Sequence, residues 1–139
     1  MSLMVLLALA QATAAQPRPP PLPRDWATLP ELQLDRSARV GAEDRAAIMD
    51  LARRQPECRA SVTSLVGAGN DLRGIRIDLA VLVNPDGSFR GVAAKTGPCD
   101  AIRNYARAIV NTRYRGHVRA PAGPNPAWYG TTLTFLGEP

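Results

Sequence analysis

One imidazole stands among arginines in the stretch Arg113, Tyr114, Arg115, Gly116, His117, Val118, Arg119. A histidine flanked by guanidinium groups has the parts for general acid–base attack on a phosphodiester, with the arginines balancing phosphate charge. That chemistry needs a second acid or base, and no glutamate has an evident reason to come near His117. An exposed loop histidine is the simpler reading. Cys58 and Cys99 could be thiol nucleophiles or metal ligands, but no Cys-x-x-Cys spacing occurs and His117 is the single imidazole that could join them. Gly67, Ala68, Gly69 and Asn70 lack the lysine and the strand-to-helix setting of a phosphate-cradling loop. Asp78 and Asp86 suit a strand's polar face and a turn. Tyr105, Trp128 and Tyr129 could stack on bases, though their spacings fit core and edge packing better. The residues offer no catalytic set, no metal cage and no cofactor motif, so the expectation is a chain that is not an enzyme and carries no cofactor.

The elements that would position these side chains centre on a β-hairpin from Ile75 to Gly97. Ile75, Ile77, Leu79, Val81 and Val83 share one parity, so an extended chain buries all five on one face. The opposite parity runs Arg76, Asp78, Ala80, Leu82, polar first and then apolar. Asn84-Pro85-Asp86-Gly87 supplies turn chemistry in order and predicts a type I turn closed by a glycine bulge. On the return strand the parity of Phe89, Val92 and Ala94 is broken, which predicts a further bulge at Arg90-Gly91.

Around the hairpin, a helix is expected from Ala42, with Glu43 and Asp44 in its first turn and Arg53 and Arg54 in its last, stopped by Pro56. Ala60 to Leu65 reads as a short strand, followed by a loop over Gly67 to Asp71. Gly97-Pro98 opens an amphipathic helix with Ile102, Tyr105, Ala106, Ile109 and Val110 at helical spacing. After a Pro- and Gly-rich loop, Trp128 to Leu136 closes the chain as a strand. This order predicts an α+β fold, a small antiparallel sheet of hairpin plus C-terminal strand packed by an amphipathic helix.

Length allows one core only. The apolar run from Leu3 ends in Ala12-Thr13-Ala14, a small-residue pattern cleaved before Ala15, so residues 1–14 read as a signal peptide and no membrane span is expected after processing. Residues 15–41 form a Pro-rich tether, Gln16 to Arg24, and an irregular arm, Asp25 to Val40. Residues 42–139 form the domain. The expected location is the periplasm or the exterior, where an isolated cysteine pair more often forms one disulfide, here Cys58 with Cys99, than a reactive thiol or a metal site. The formal net charge is +5, carried by arginine apart from Lys95. The arginines are scattered, which favours a solvated surface over a polyanion site and makes nucleic acid an unfavoured partner.

Ile77, Leu79, Val81 and Val83 before Asp86-Gly87, then Val92, Gly97, the helix from Cys99 to Val110, Arg113-Tyr114-Arg115, and Leu133 with Phe135 follow an order and spacing that resembles the C-terminal domain of TonB-type proteins. The resemblance covers about Cys58 to Leu136. It implies a protein-binding module of the cell envelope that adds an extended segment of a partner, such as an outer-membrane receptor in transport, to the edge of its sheet. The partner-binding residues would then be Trp128, Tyr129, Thr131, Thr132, Leu133 and Thr134. The arm from Asp25 to Val40 could instead cover that edge, and a homodimer is compatible with the same edge. The alternative in a different class is an Arg-rich polyanion binder or a small secreted ribonuclease using His117.

Overall fold

The computed structural model describes residues 18–64 and 73–137. The expected signal peptide and the glycine-rich loop from Gly67 to Asp71 lie outside the described residues. A 3-10 turn, Trp26–Thr28, precedes helices α1 (Ala42–Arg54) and α2 (Pro56–Arg59). Strands β1 (Val62–Ser64), β2 (Arg73–Val83) and β3 (Phe89–Ala94) follow, then α3 (Asp100–Ile109), a π-helical turn at Val110–Tyr114, and β4 (Ala127–Leu136). The class is α+β with an antiparallel four-stranded sheet, as the pattern predicts.

β2 is the centre of that sheet. β4 pairs with it from Gly74↔Leu136 to Val83↔Ala127, along almost its whole length. On the other side β1 takes its first residues, Val62↔Ile75 to Ser64↔Arg73, and β3 takes its last, Leu79↔Ala94 to Val83↔Phe89. The turn joining β2 to β3 follows its sequence: the Gly87 amide donates to the Asn84 carbonyl at 2.9 Å, the Asn84 amide donates to Ser88 at 2.8 Å, and Gly87 has φ 86°. A side chain at that φ is strained, so glycine closes the turn. Beyond it, β3 passes from Phe89 to Gly91 while β2 passes from Val83 to Leu82, which puts the bulge at Arg90-Gly91.

Alternation decides what each face meets. Ile75, Ile77, Leu79, Val81 and Val83 are all buried, in one cluster with Ile48 and Ala52 of α1, Ile102, Ala106 and Ile109 of α3, and Leu133 and Phe135 of β4. Burying each large aliphatic side chain contributes roughly 1.5–3 kcal/mol, which makes this helix-covered face the main source of stability. On the opposite face Ala80 and Leu82 are also buried, outside that cluster. The arm reaches this face beside Ala80: Leu29 Cβ lies 3.4 Å from where a Cβ on Gly130 would stand, and Gly130 pairs with Ala80. Glycine at 130 lets the arm lie close to the sheet. The rest of this face, Arg76 and Asp78 beside Thr132 and Thr134, stays polar. Thr132 Oγ1 donates to Asp78 Oδ1 at 2.9 Å, and Arg76 Nε donates to the same oxygen at 3.3 Å.

α1 and α3 are locked by a buried carboxylate. Asp44, 5% exposed, accepts from the Gly41 amide at the start of α1, from Tyr105 Oη at 3.2 Å and from Arg113 Nε at 3.1 Å. Cys58 in α2 and Cys99 at the cap of α3 form the expected disulfide, across a sequence separation of 41. Cys99 Sγ also accepts from the Ile102 amide, so the same sulfur caps the helix.

Candidate functional site

β4 is a sheet edge, since β2 is its one partner among the named strands. In an antiparallel ladder each residue turns both backbone groups to one side and its neighbour turns them to the other. The Gly137 amide donates inward to the Arg73 carbonyl at 2.9 Å, while Gly130 bonds outward to the arm. Odd-numbered residues of β4 therefore bond to β2, and even-numbered residues face the rim. Of the six residues expected to bind a partner, Tyr129, Thr131 and Leu133 spend their backbone groups on β2. Trp128, Thr132 and Thr134 face outward, as does Leu136.

The outward groups are not equally open. The Gly130 amide donates to the Pro30 carbonyl at 2.8 Å and the Leu32 amide donates to the Gly130 carbonyl at 2.8 Å, a parallel bridge centred on Glu31. Leu32 is 5% exposed and belongs to the core, which anchors the arm there. Trp128 is engaged as well, its indole Nε1 donating to the Pro20 carbonyl of the tether at 2.7 Å. At Gln33 the arm leaves β4 and pairs with the loop instead: Arg119 N donates to Gln33 O at 2.9 Å and Asp35 N donates to His117 O at 2.8 Å. Past that divergence, Thr132 and Thr134 have no backbone partner on the rim among the described residues. Their neighbour Leu136, 44% exposed, is the one large hydrophobic left exposed among the described residues. The rim thus divides into a covered part, Trp128 and Gly130, and an open part, Thr132 to Leu136.

His117 lies where the arm meets the loop. Its Nδ1 stands 2.8 Å from Ser37 Oγ and 3.1 Å from Asp35 Oδ2, and the Ser37 amide donates to Asp35 Oδ1 at 2.9 Å. The hydroxyl and amide of Ser37, helped by His117, hold the Asp35 carboxyl down at about 2. A nucleophile–base–orienter relay places nucleophile and carboxylate on opposite ring nitrogens. Here both share Nδ1, so the trio closes a loop and fastens the arm. Among the described residues no glutamate lines the shallow pocket around His117, which is walled by Gln33, Leu34, Asp35 and Gly116 to Arg119.

Among the described residues no group of three or more His, Cys, Asp or Glu side chains could hold a metal ion, and no helix is long and apolar enough to cross a membrane. Sequence reasoning left the arm without regular structure, yet Leu32 and Leu34 alternate with Glu31 and Gln33, a short period-2 signal of an extended paired segment. Compared with family models, curated proteins and solved structures, the chain finds no match in any of the three.

Proposed function

We propose that this chain is a non-enzymatic, exported interaction module of the cell envelope, similar in arrangement to the TonB C-terminal domain, which takes an extended partner segment as an added strand. The observation that carries the reading is the open rim from Thr132 to Leu136. Outward N–H and C=O groups there lie next to a point, Gly130, where the same rim already pairs with an extended segment. Main-chain hydrogen bonds supply affinity in strand addition, and pockets for alternate side chains supply choice of partner. The exposed Leu136 offers an apolar contact for one such side chain. Thr132 and Thr134 keep the rim polar and guard it against indiscriminate pairing. The disulfide accords with an oxidising compartment, periplasmic or external, where an outer-membrane receptor or another envelope protein is the partner class.

Thr132→Pro is the sharpest test. Its N–H faces outward, so proline removes a rim donor and leaves the bonds to β2 in place. Peptides from outer-membrane receptors, titrated by calorimetry, should bind the native protein and lose at least tenfold in affinity to Thr132→Pro, with unchanged thermal stability. Equal binding by the two proteins sinks strand addition at this rim. A ribonuclease assay on the native chain and His117→Ala addresses the alternative, and activity that vanishes with the imidazole would replace this reading by hydrolysis.

A further inference from the structure

The Pro-rich tether touches the sheet at one tryptophan. Trp128 Nε1 donates to the Pro20 carbonyl at 2.7 Å, and the half-buried Leu22 and Pro23 follow shortly after, while Arg18 to Pro21 are exposed. Trp128 stands at the covered end of the second face: its partner in register is Leu82, which is buried outside the main core cluster. Two residues along β4, the Trp26 carbonyl oxygen lies 4.0 Å from where a Cβ on Gly130 would stand. The stretch from Pro20 to Trp26 therefore runs between two points on the same strand, an indole at one and a glycine at the other.

What the indole meets has a particular chemistry. From Pro19 to Pro23 every residue is proline except Leu22, so Leu22 alone keeps an N–H. Such a run offers carbonyls without donors, cannot complete a strand ladder, and holds an extended polyproline form that has little freedom left to lose on binding. A surface that recognises it needs a donor beside apolar area. Indole supplies both, since its nitrogen only donates and its rings are apolar. The open rim from Thr132 to Leu136 selects differently, because strand addition needs a ligand with amides to give. The two places on β4 thus suit different ligands.

We propose that Trp128 is a recognition site for proline-rich segments, with the chain's own tether as its resident occupant and a proline-rich segment of another protein as the ligand that replaces it. Pro20 lies a short length of chain from Leu32, which the core anchors, and such a linkage holds the tether at an effective concentration of about 1 mM. A second copy presents the same run at far lower concentration, so exchange between copies is disfavoured and the incoming segment is a foreign one. The exchange leaves the ladder between β2 and β4 intact and does not depend on strand addition at the rim.

The test compares the full, oxidised chain with Pro19→Gly/Pro20→Gly/Pro21→Gly, which keeps the tether's length and removes its polyproline form. The probe is acetyl-Arg-Pro-Pro-Pro-Leu-Pro-Arg-amide, and the Trp128 indole N–H is followed by NMR. In the triple variant that resonance should move and its hydrogen exchange should quicken at least twofold. The peptide should return it to the native position with half-saturation below about 1 mM, and the native chain should need at least twice as much peptide because its tether competes. The same peptide with its three consecutive prolines replaced by glycine should bind at least fivefold more weakly. Thr132→Pro, added to the triple variant, should leave binding unchanged. An indole resonance that the triple variant does not move, equal binding of the two peptides, or no response to several millimolar peptide overturns the proposal. Binding abolished by Thr132→Pro would assign the peptide to the rim and also overturn it.

Discussion

Asp44 is the residue on which the helical layer depends. Burial pushes its carboxyl up, yet the bond from Arg113, the Gly41 amide, the Arg113 charge and the bond from Tyr105 together bring it below its ordinary value. A carboxyl whose folded-state pKa is depressed adds stability that is present above its unfolded value and is lost as pH falls through the folded one. The native chain should therefore lose stability as pH drops below about 4, and Asp44→Asn should flatten that limb of the profile. Asp44→Ala leaves the phenol of Tyr105 and the guanidinium of Arg113 without their acceptor. Arg113 is 46% exposed, so its share is screened and the phenol and the helix cap supply most of the loss. The expected cost is about 1–3 kcal/mol, measured by urea unfolding at pH 7. An acid limb identical in Asp44→Asn and the native chain would remove this carboxylate from the account. Asp35, held at about 2 in an exposed turn, should appear by NMR as a transition late in acidification.

At the scale of elements the arm and β4 share one rim, and hydrogen exchange can read how it is divided. The amides of Thr131 and Leu133 point to β2 and should exchange slowly. Gly130 and Leu32 bond to each other's segments and should be protected to the extent that the arm stays docked. Thr132 and Thr134 should exchange fast. Leu32→Ala removes a core side chain at a cost of about 2–5 kcal/mol and should release protection at Gly130 before Thr131 or Leu133. Protected Thr132 and Thr134 amides in the isolated native protein would mean that the rim is already filled.

Much of this was legible in the chain, because parity and turn chemistry are local. Five alternating aliphatics set the buried face of β2, and Asn84-Pro85-Asp86-Gly87 set the turn and its glycine. Ala42 and Arg54 bound α1 where charge and Pro56 place its ends. What stayed hidden is non-local. That β4 would lie against the whole of β2 and that the arm would take Gly130 depend on register between distant segments. No spacing within one segment encodes that register. Trp128 illustrates the limit: it reads as an edge residue, and it is one, but its indole is occupied by a carbonyl from 108 residues earlier.

For the molecule as a whole, the sheet and its helices form one small core, and the link from α2 to α3 binds its two ends. Cys58 and Cys99 are both fully buried, and the loop they close contains all of β1, β2 and β3. In the chain-entropy model, closing a loop of this length stabilises the fold by roughly 3–4 kcal/mol, a large fraction of the 5–15 kcal/mol typical of a whole domain. The effect of the link can be separated from that of the helix cap, because Cys99 performs both. In Cys58→Ala/Cys99→Ser the link is gone while a serine oxygen still faces the Ile102 amide. In Cys58→Ala/Cys99→Ala both are gone. The serine variant should lose about 3–4 kcal/mol relative to the oxidised native chain, and the alanine variant about 1 kcal/mol more. Native protein treated with reductant should unfold at the urea midpoint of the serine variant. An unchanged midpoint after two thiols have been titrated would show that packing alone holds α2 to α3, and the link would then add no measurable stability to the fold.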